Sequence, residues 1–325
     1  MLLSSIAYGG HLFLEQRYEK NIKRADLLGT NRISGKKASF PLNFLIIGTD
    51  KRTPEDYDPK DPSSRVSSVN GERADTIIFV HIPKDKKNAY VISIPRDTDV
   101  LIPPMGDYKG GKDKINAAYA FGGDRLGAPL LVATVNNLLG VSIDYPVIVS
   151  FKAVRELTEA VGGVDVVVDK RVKDPRSQVV FEQGPQHLDG KKAEAYVRQR
   201  YGLPRGDFDR QERQRQFLFA LMNRITQTNV ITDPRKLDKL LITATNNLTV
   251  DKSMPVQDLV FNLKSLRPSD ATFTGLQMLP GRNIDGVSYE FADMVAAKEL
   301  GAAISSDTLP AYLAQHPPGD VNHGS

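Results

Sequence analysis

The sequence predicts one α/β domain built on a mixed central β-sheet with helices on both faces. Three observations lead there. Strand-like and helical runs mix along the chain without a strict βαβ alternation, which favours a mixed sheet over a purely parallel one. No run matches a dinucleotide-binding glycine fingerprint or a P-loop, since Gly48-Thr49-Asp50-Lys51 offers a single glycine. The chain has 325 residues, 40% apolar and 25% charged, which is ordinary for a soluble globular protein with room for a large core.

The elements follow in order. Met1–Leu14 is apolar but too short to span a bilayer, and it lacks a basic leader and a small-residue cleavage site. It reads either as the end of a membrane anchor or as an amphipathic helix. The basic flank after it points to a cytoplasmic side. Residues 1–38 form a lead-in, helical or irregular from residue 15, and residues 39–310 form the domain. Phe40–Gly48 is the first strand. Residues 53–72, polar with Pro54, Pro59 and Pro62, form a long surface loop of a length usually kept for function. Thr76–Ile82 and Tyr90–Ile94 are strands joined by the charged connection Pro83–Asn88, a hairpin pattern.

A helix interrupted by Gly122-Gly123 and Pro129 is expected over Lys114–Gly140, then a strand at Pro146–Phe151 and a helix at Lys152–Val161. Asp165–Val168 is a strand, and Gly190–Arg198 has helical spacing. Phe208–Thr226 is an amphipathic helix with Phe217, Leu218, Leu221 and Ile225 on one face. Asp233–Leu248 and Pro255–Leu266 open with helix-start signals. Thr272–Leu279 is a last strand, 289–304 a last helix and 311–325 a flexible tail.

Composition removes whole classes of chemistry. There is no cysteine, so disulfides, thiolate metal sites and cysteine nucleophiles are excluded. The net charge of +4 resides in residues 1–40, where Arg17, Lys20, Lys23, Arg24, Arg32, Lys36 and Lys37 face Glu15, Glu19 and Asp26. The rest is balanced, so no chain-wide footprint for nucleic acid exists.

Chain direction gathers one constellation. The first strand ends at Asp50 and Arg52, the second begins after Arg73 at Asp75, and the third returns to Pro95-Arg96-Asp97. An antiparallel arrangement puts Asp50, Asp75, Arg52, Arg73 and Arg96 on one rim. Two aspartates suit a hard divalent cation such as Mg²⁺, and arginine forks match phosphate oxygens. A second cluster, Arg198, Arg200, Arg205, Arg210, Arg213 and Arg215, contains no lysine. Arg210 and Arg213 lie one helical turn apart and face one way. The bland readings are separate surface salt bridges for the first set and a solvated helix face for the second.

At this point the residues resemble the LytR-CpsA-Psr family. The blocks are Ile46-Ile47-Gly48-Thr49-Asp50-Lys51-Arg52, Arg73-Ala74-Asp75-Thr76, Ser93-Ile94-Pro95-Arg96-Asp97, Lys114-Ile115-Asn116-Ala117-Ala118-Tyr119, Val197-Arg198-Gln199-Arg200 and Asp207-Phe208-Asp209-Arg210 with Arg213-Gln214. They occur in the family's order over about residues 40–230. Gly122-Gly123 after Tyr119 looks actinobacterial.

The resemblance implies a membrane-anchored protein with its catalytic domain on the extracytoplasmic face. It implies transfer of a phosphate-linked glycopolymer from a polyprenyl-pyrophosphate carrier to peptidoglycan or another wall acceptor. Asp50 and Asp75 would hold Mg²⁺, with Mn²⁺ as a substitute. Arg52, Arg73, Arg96, Arg198 and Arg200 would contact the pyrophosphate as the catalytic set. Arg210, Arg213, Lys114, Asn116 and Tyr119 would bind substrate, and the fold would be a single α-β-α domain. An apolar tunnel would hold the prenyl chain, with Ala117–Phe121, Leu130–Leu139 and Phe217–Leu221 as candidate walls. The same residues also serve pyrophosphate hydrolysis or lipid-carrier binding without turnover. RNA binding is a further alternative, but aromatic interleaving in the arginine cluster is thin.

Overall fold

The structure, a computed structural model, describes residues 22–32, 39–49, 72–174, 177–199, 202–204, 206–227, 230, 233–263 and 265–317. Strands β1 (Lys23–Ala25), β2 (Leu42–Thr49), β3 (Ala74–Ile82) and β4 (Ala89–Ile94) come first, then the pair β5 (Asp99–Ile102) and β6 (Gly111–Lys114). Helix α1 (Ala117–Leu139), β7 (Tyr145–Ser150) and α2 (Phe151–Ala160) follow. Short strands β8 (Val164–Val168), β9 (Val172–Lys173), β10 (Val180–Phe181) and β11 (Gly184–Leu188) precede α3 (Gly190–Arg198), α4 (Asp207–Gln227) and α5 (Pro234–Asn247). The chain continues through β12 (Leu248–Asp251), α6 (Val256–Leu263), β13 (Ala271–Gly275), β14 (Met278–Ile284), β15 (Val287–Ala292), α7 (Met294–Ser305) and α8 (Leu309–Gln315).

Seven strands form the central sheet in the order β1-β12-β7-β2-β3-β4-β13. The pairs β2–β3 and β3–β4 are antiparallel, and β2–β7 and β4–β13 are parallel, so the sheet is mixed as expected. Alternation along β2 sends its side chains to two different cores. Leu45 and Ile47 join Phe79, Ile92 and Ile94 in a core closed by α1 and α7. Leu42 and Phe44 point the other way, to Tyr145 and Leu259 of α6. Both faces are therefore covered, and Phe219 of α4 meets Phe273 of β13 edge-on at 6.0 Å. A third core, around Phe181, Tyr196 and Phe217, joins β8–β11 to α3 and α4 as a smaller lobe beside the sheet.

Several expectations need correction. Residues 1–38 are not wholly a lead-in: β1 adds to the sheet edge by parallel pairing with β12. A buried carboxylate fastens it, because Asp251 accepts from Leu27 N at 3.0 Å, from Leu28 N at 3.1 Å and from Arg32. The C-terminal tail begins later than residue 311, since α8 runs to Gln315 and buries Leu309. The expected helix over 289–304 is in fact β15 followed by α7, whose start is set by Asp293 accepting from Val295 N and Ala296 N. The expected strand Thr272–Leu279 divides into β13 and the beginning of β14. The interruption in the first long helix is confined to Gly123, at φ 59° and ψ −161°, a conformation that costs glycine little. Among the described residues no helix is long and apolar enough to cross a membrane.

Candidate active site

The antiparallel register makes the rim. Thr49 lies opposite Ala74, and Ile77 opposite Ile94, so β2 ends, β3 begins and β4 ends at the same edge. Parallel pairing of β2 with β7 puts Ser150 beside Thr49 and opens α2 there. The register shifts between Gly48 and Thr49. Gly48 is required by contact, since a Cβ there would lie 2.6 Å from Thr76 Cβ.

Asp75, the second residue of β3, forms an ion pair with Arg96 in the turn after β4. Arg96 is 9% exposed, so this pair is shielded from bulk water. Its guanidinium also lies 3.5 Å from Asp97 Oδ2, and Asp97 Oδ1 is 3.0 Å from Lys114 Nζ at the end of β6. The order along this edge is therefore Asp75, Arg96, Asp97, Lys114. Backbone bonds hold it: Ile115 N donates to Thr98 O at 2.8 Å and Asn116 N to Arg96 O at 3.1 Å. Asn116 is 1% exposed, and its Oδ1 has no hydrogen-bond partner among the described residues. A buried acceptor of this kind costs about 1–3 kcal/mol unless a donor reaches it.

The second arginine cluster arrives from the smaller lobe. Arg210, in the first turn of α4, donates through Nη2 to Asp75 O at 2.9 Å, so α4 is pinned to the start of β3. Arg213 is buried, its guanidinium 4.5 Å from the Tyr196 ring and 5.3 Å from that of Phe181, and it donates to Gln199 Oε1. Burial lowers the pKa of Arg213 from its ordinary value and raises that of Tyr196 to about 12, where the nearby Arg213 charge opposes the rise. Arg198 closes α3, bonds Glu194 at 3.0 Å and lies 4.7 Å from the Phe151 ring. Phe151 follows Ser150, the residue beside Thr49, which brings Arg198 to the same rim.

Asp75, Arg96, Lys114, Asn116, Arg198 and Arg210 thus gather at one edge, with Arg213 as a buried brace behind Gln199. Arg73 is exposed directly before β3. Tyr119 is buried in the core under α1, together with Leu130, Leu131, Val132 and Val135 from a segment expected to wall a tunnel. Arg215 pairs with Glu212 along the helix surface. Asp50, Arg52, Arg200 and Arg205 lie outside the described residues. Sequence reasoning passed over Asp97, although it follows Arg96 in a quoted block, and Gln199, which sits between two of the named arginines.

A family model described as the LytR_cpsA_psr family matches residues 13–304. The chain belongs to the LytR-CpsA-Psr family. Among relatives in this family, the cell wall biosynthesis protein LcpA of Corynebacterium glutamicum is 30% identical, over 78% of this chain and 52% of that protein. The polyisoprenyl-teichoic acid–peptidoglycan teichoic acid transferase TagV of Bacillus subtilis is 33% identical, over 76% of this chain and 60% of that protein. The transferase TagU of Bacillus cereus is 32% identical, over 86% of this chain and 83% of that protein. This chain therefore spans between half and two thirds of the first two relatives. Crystalline B. subtilis TagV superposes with a TM-score of 0.65 at 28% identity, covering 84% of this chain and 98% of that one. TagT bound to LIIa-WTA gives 0.63 at 25% identity, covering 86% of this chain and 95% of that one. The LytR-CpsA-Psr fold of these structures agrees with the mixed sheet seen here.

Proposed function

We propose that this protein is a phosphotransferase that moves a phosphate-linked glycopolymer from a polyprenyl-pyrophosphate carrier to peptidoglycan or another cell-wall acceptor. The observation that carries the reading is the convergence of Arg96 and Arg210 on Asp75 from three separate elements. Names of relatives that act between a polyisoprenyl-linked teichoic acid and peptidoglycan support it. With it we propose that the domain acts at the membrane, on its extracytoplasmic face, where such a carrier and such an acceptor would meet.

The reaction needs little covalent chemistry from the protein. An acceptor hydroxyl attacks the phosphorus that bears the sugar, the bond from that phosphorus to the bridging oxygen breaks, and polyprenyl phosphate leaves. The hydroxyl proton passes to solvent. Charge grows on the bridging and non-bridging oxygens, and fixed guanidinium groups lower its cost. Arg96 and Arg210 are anchored by Asp75, and Arg198 by Glu194, so they need little reorganisation. Arg52, Arg73 and Arg200 complete the proposed catalytic set, with Lys114 and Asn116 on the substrate side; Arg213 and Tyr119, expected to bind substrate, are instead buried, the first as a brace between Tyr196 and Gln199 and the second in the core.

The donor chemistry fits a hard divalent cation: the half-buried carboxylate of Asp75, paired with Arg96 at the rim, could turn an oxygen to it, and among the described residues no cluster of three potential metal ligands competes. Asp50 is the second carboxylate we assign to Mg²⁺. When bound, Mg²⁺ neutralises phosphate charge and orients the diphosphate.

Product analysis with a polyprenyl-pyrophosphate-linked oligosaccharide and a peptidoglycan fragment tests the reading. Glycan phosphate joined to the acceptor, lost with EDTA and restored by Mg²⁺ or Mn²⁺, is expected. Free phosphorylated sugar alone would identify a hydrolase, and carrier binding without turnover would overturn the enzyme assignment.

A further inference from the structure

The hairpin β14–β15 stands apart from the central sheet and is joined to the candidate site. Glu290 N donates to Asp97 O at 3.0 Å, and Glu290 pairs with Thr98 in an isolated parallel bridge. Lys114 Nζ, the partner of Asp97, lies 5.3 Å from the centre of the Tyr289 ring.

The register sorts the hairpin into two unlike faces. Arg282 lies opposite Tyr289, Ile284 opposite Val287 and Leu279 opposite Phe291. Cross-strand partners share a face. One face is therefore apolar and aromatic with a single cation, and Arg282 reaches 5.7 Å from the Phe291 ring on it. The other carries Asn283, Ser288 and Glu290. Nothing in the chain's described part covers the apolar face at its outer end, where Ile284 is 46% exposed and Val287 43%; Leu279, 50% exposed, lies at the inner end opposite Phe291. Two-stranded hairpins are marginal alone and normally bury one face.

We propose that this face docks shallowly on a lipid bilayer, presenting the arginine site to a carrier held in the membrane. The inference rests on the transferase reading, because a prenyl-linked diphosphate must be met at the lipid surface. Three features select lipid over a protein or glycan. The exposed side chains are aliphatic rather than aromatic, and Lys114 already occupies the Tyr289 ring. The surface is a projecting tip, not a groove. Its groups are layered by depth: at about 3.3 Å per strand residue, Ile284 lies roughly 7 Å beyond Arg282. That layering puts Ile284 and Val287 at the headgroup boundary, with Arg282 at the more polar level above them. Asp285 in the turn keeps the insertion shallow.

The chain has no tryptophan, so one introduced indole is an unambiguous reporter. Ile284→Trp is made in the full chain and mixed with phosphatidylcholine–phosphatidylglycerol vesicles. Val167→Trp, at a residue 60% exposed on the smaller lobe, is the control. The expected result is a blue shift and quenching by brominated acyl chains for the first variant only. In parallel, Ile284→Asp with Val287→Asp should weaken transfer from a vesicle-embedded donor about tenfold or more, given the apolar area lost. Transfer from a short-chain soluble donor should be unchanged. An indole at 284 that neither shifts nor quenches overturns the proposal. So does one that shifts with soluble peptidoglycan strands but is not quenched by brominated lipid, which would make this face a glycan seat. Loss of docking with normal soluble-donor transfer leaves the transferase reading standing, and absence of all transfer with normal docking refutes only that reading.

Discussion

Removing Arg96 should separate what the rim contributes to stability from what it contributes to turnover. Two unit charges about 4 Å apart at an effective dielectric near 20 attract by about 4 kcal/mol. The Arg96 and Asp75 side chains are 10% and 24% exposed, so their desolvation offsets much of that. A net coupling of about 2 kcal/mol is expected for a charged hydrogen-bonded pair. The cycle Arg96→Ala, Asp75→Ala and the double variant measures it by urea unfolding followed by circular dichroism. Asp75→Ala keeps the backbone carbonyl that accepts from Arg210, so α4 stays attached and the cycle reports the side-chain pair. In the transfer assay Arg96→Ala should lose about 100- to 1,000-fold in kcat, the range for one preorganised donor. Arg96→Lys restores charge without the fork and should recover only part of it. Additivity within about 0.5 kcal/mol would mean that the pair does not form in solution. Near-normal kcat in Arg96→Ala would remove this rim from the reaction.

Three further outcomes follow from the same geometry. Gly48→Ala should destabilise the protein by about 1–3 kcal/mol and depress turnover, because the new methyl meets Thr76 where β2 and β3 approach the site; thermal melts and the transfer assay check both. Asp251→Ala should cost about 2–4 kcal/mol in urea unfolding, since it strands two buried backbone N–H groups and leaves Arg32 only its pairing with Asp26. Burial raises the Asp251 pKa, but the bonds from Arg32 and Ser253 outweigh it and hold the carboxyl below its ordinary 3.8. Its contribution should be full above that value and disappear as pH falls through the lowered one, so the wild-type advantage over Asp251→Ala should shrink in acid. Arg213→Met should lower stability by about 2–4 kcal/mol through loss of its ring and Gln199 contacts. A purely substrate-contacting Arg213 would instead raise KM without moving the melt.

The rim was legible because a hairpin is a local object. Once Thr76–Ile82 and Tyr90–Ile94 read as antiparallel strands, Asp75 and Arg96 had to share an edge, and the ion pair follows from register alone. The helix over 190–198 was legible for a similar reason, with Asp189 capping Lys192 N at its start. The hairpin β14–β15 was not, because Val287–Ala292 alternates too briefly to stand out from the helix that follows it. The role of β1 was hidden differently. Three residues, Lys23-Arg24-Ala25, carry no strand signal, and partners far along the chain hold them in the sheet: Asp251 supplies acceptors for the turn after them, and Met254 O accepts from Arg24 at 2.9 Å.

The arrangement also explains why Arg210 and Arg213 do unlike work although both point inward from one helix. Arg210 reaches across to the β3 backbone, so its guanidinium belongs to the sheet rim. Arg213, one turn on, is enclosed by Tyr196 and Phe181 of the smaller lobe, where desolvation weakens its hold on its proton. A cation so placed cannot follow a moving ligand, but it fixes Gln199 and with it the end of α3 from which Arg198 projects. The smaller lobe therefore acts as a rigid mount that delivers Arg198 and Arg210 to an edge the sheet has already supplied with Asp75 and Arg96. Charge stabilisation in the transition state depends on groups that do not need to move, so the stiffness of that mount, as much as the number of arginines, should set the rate.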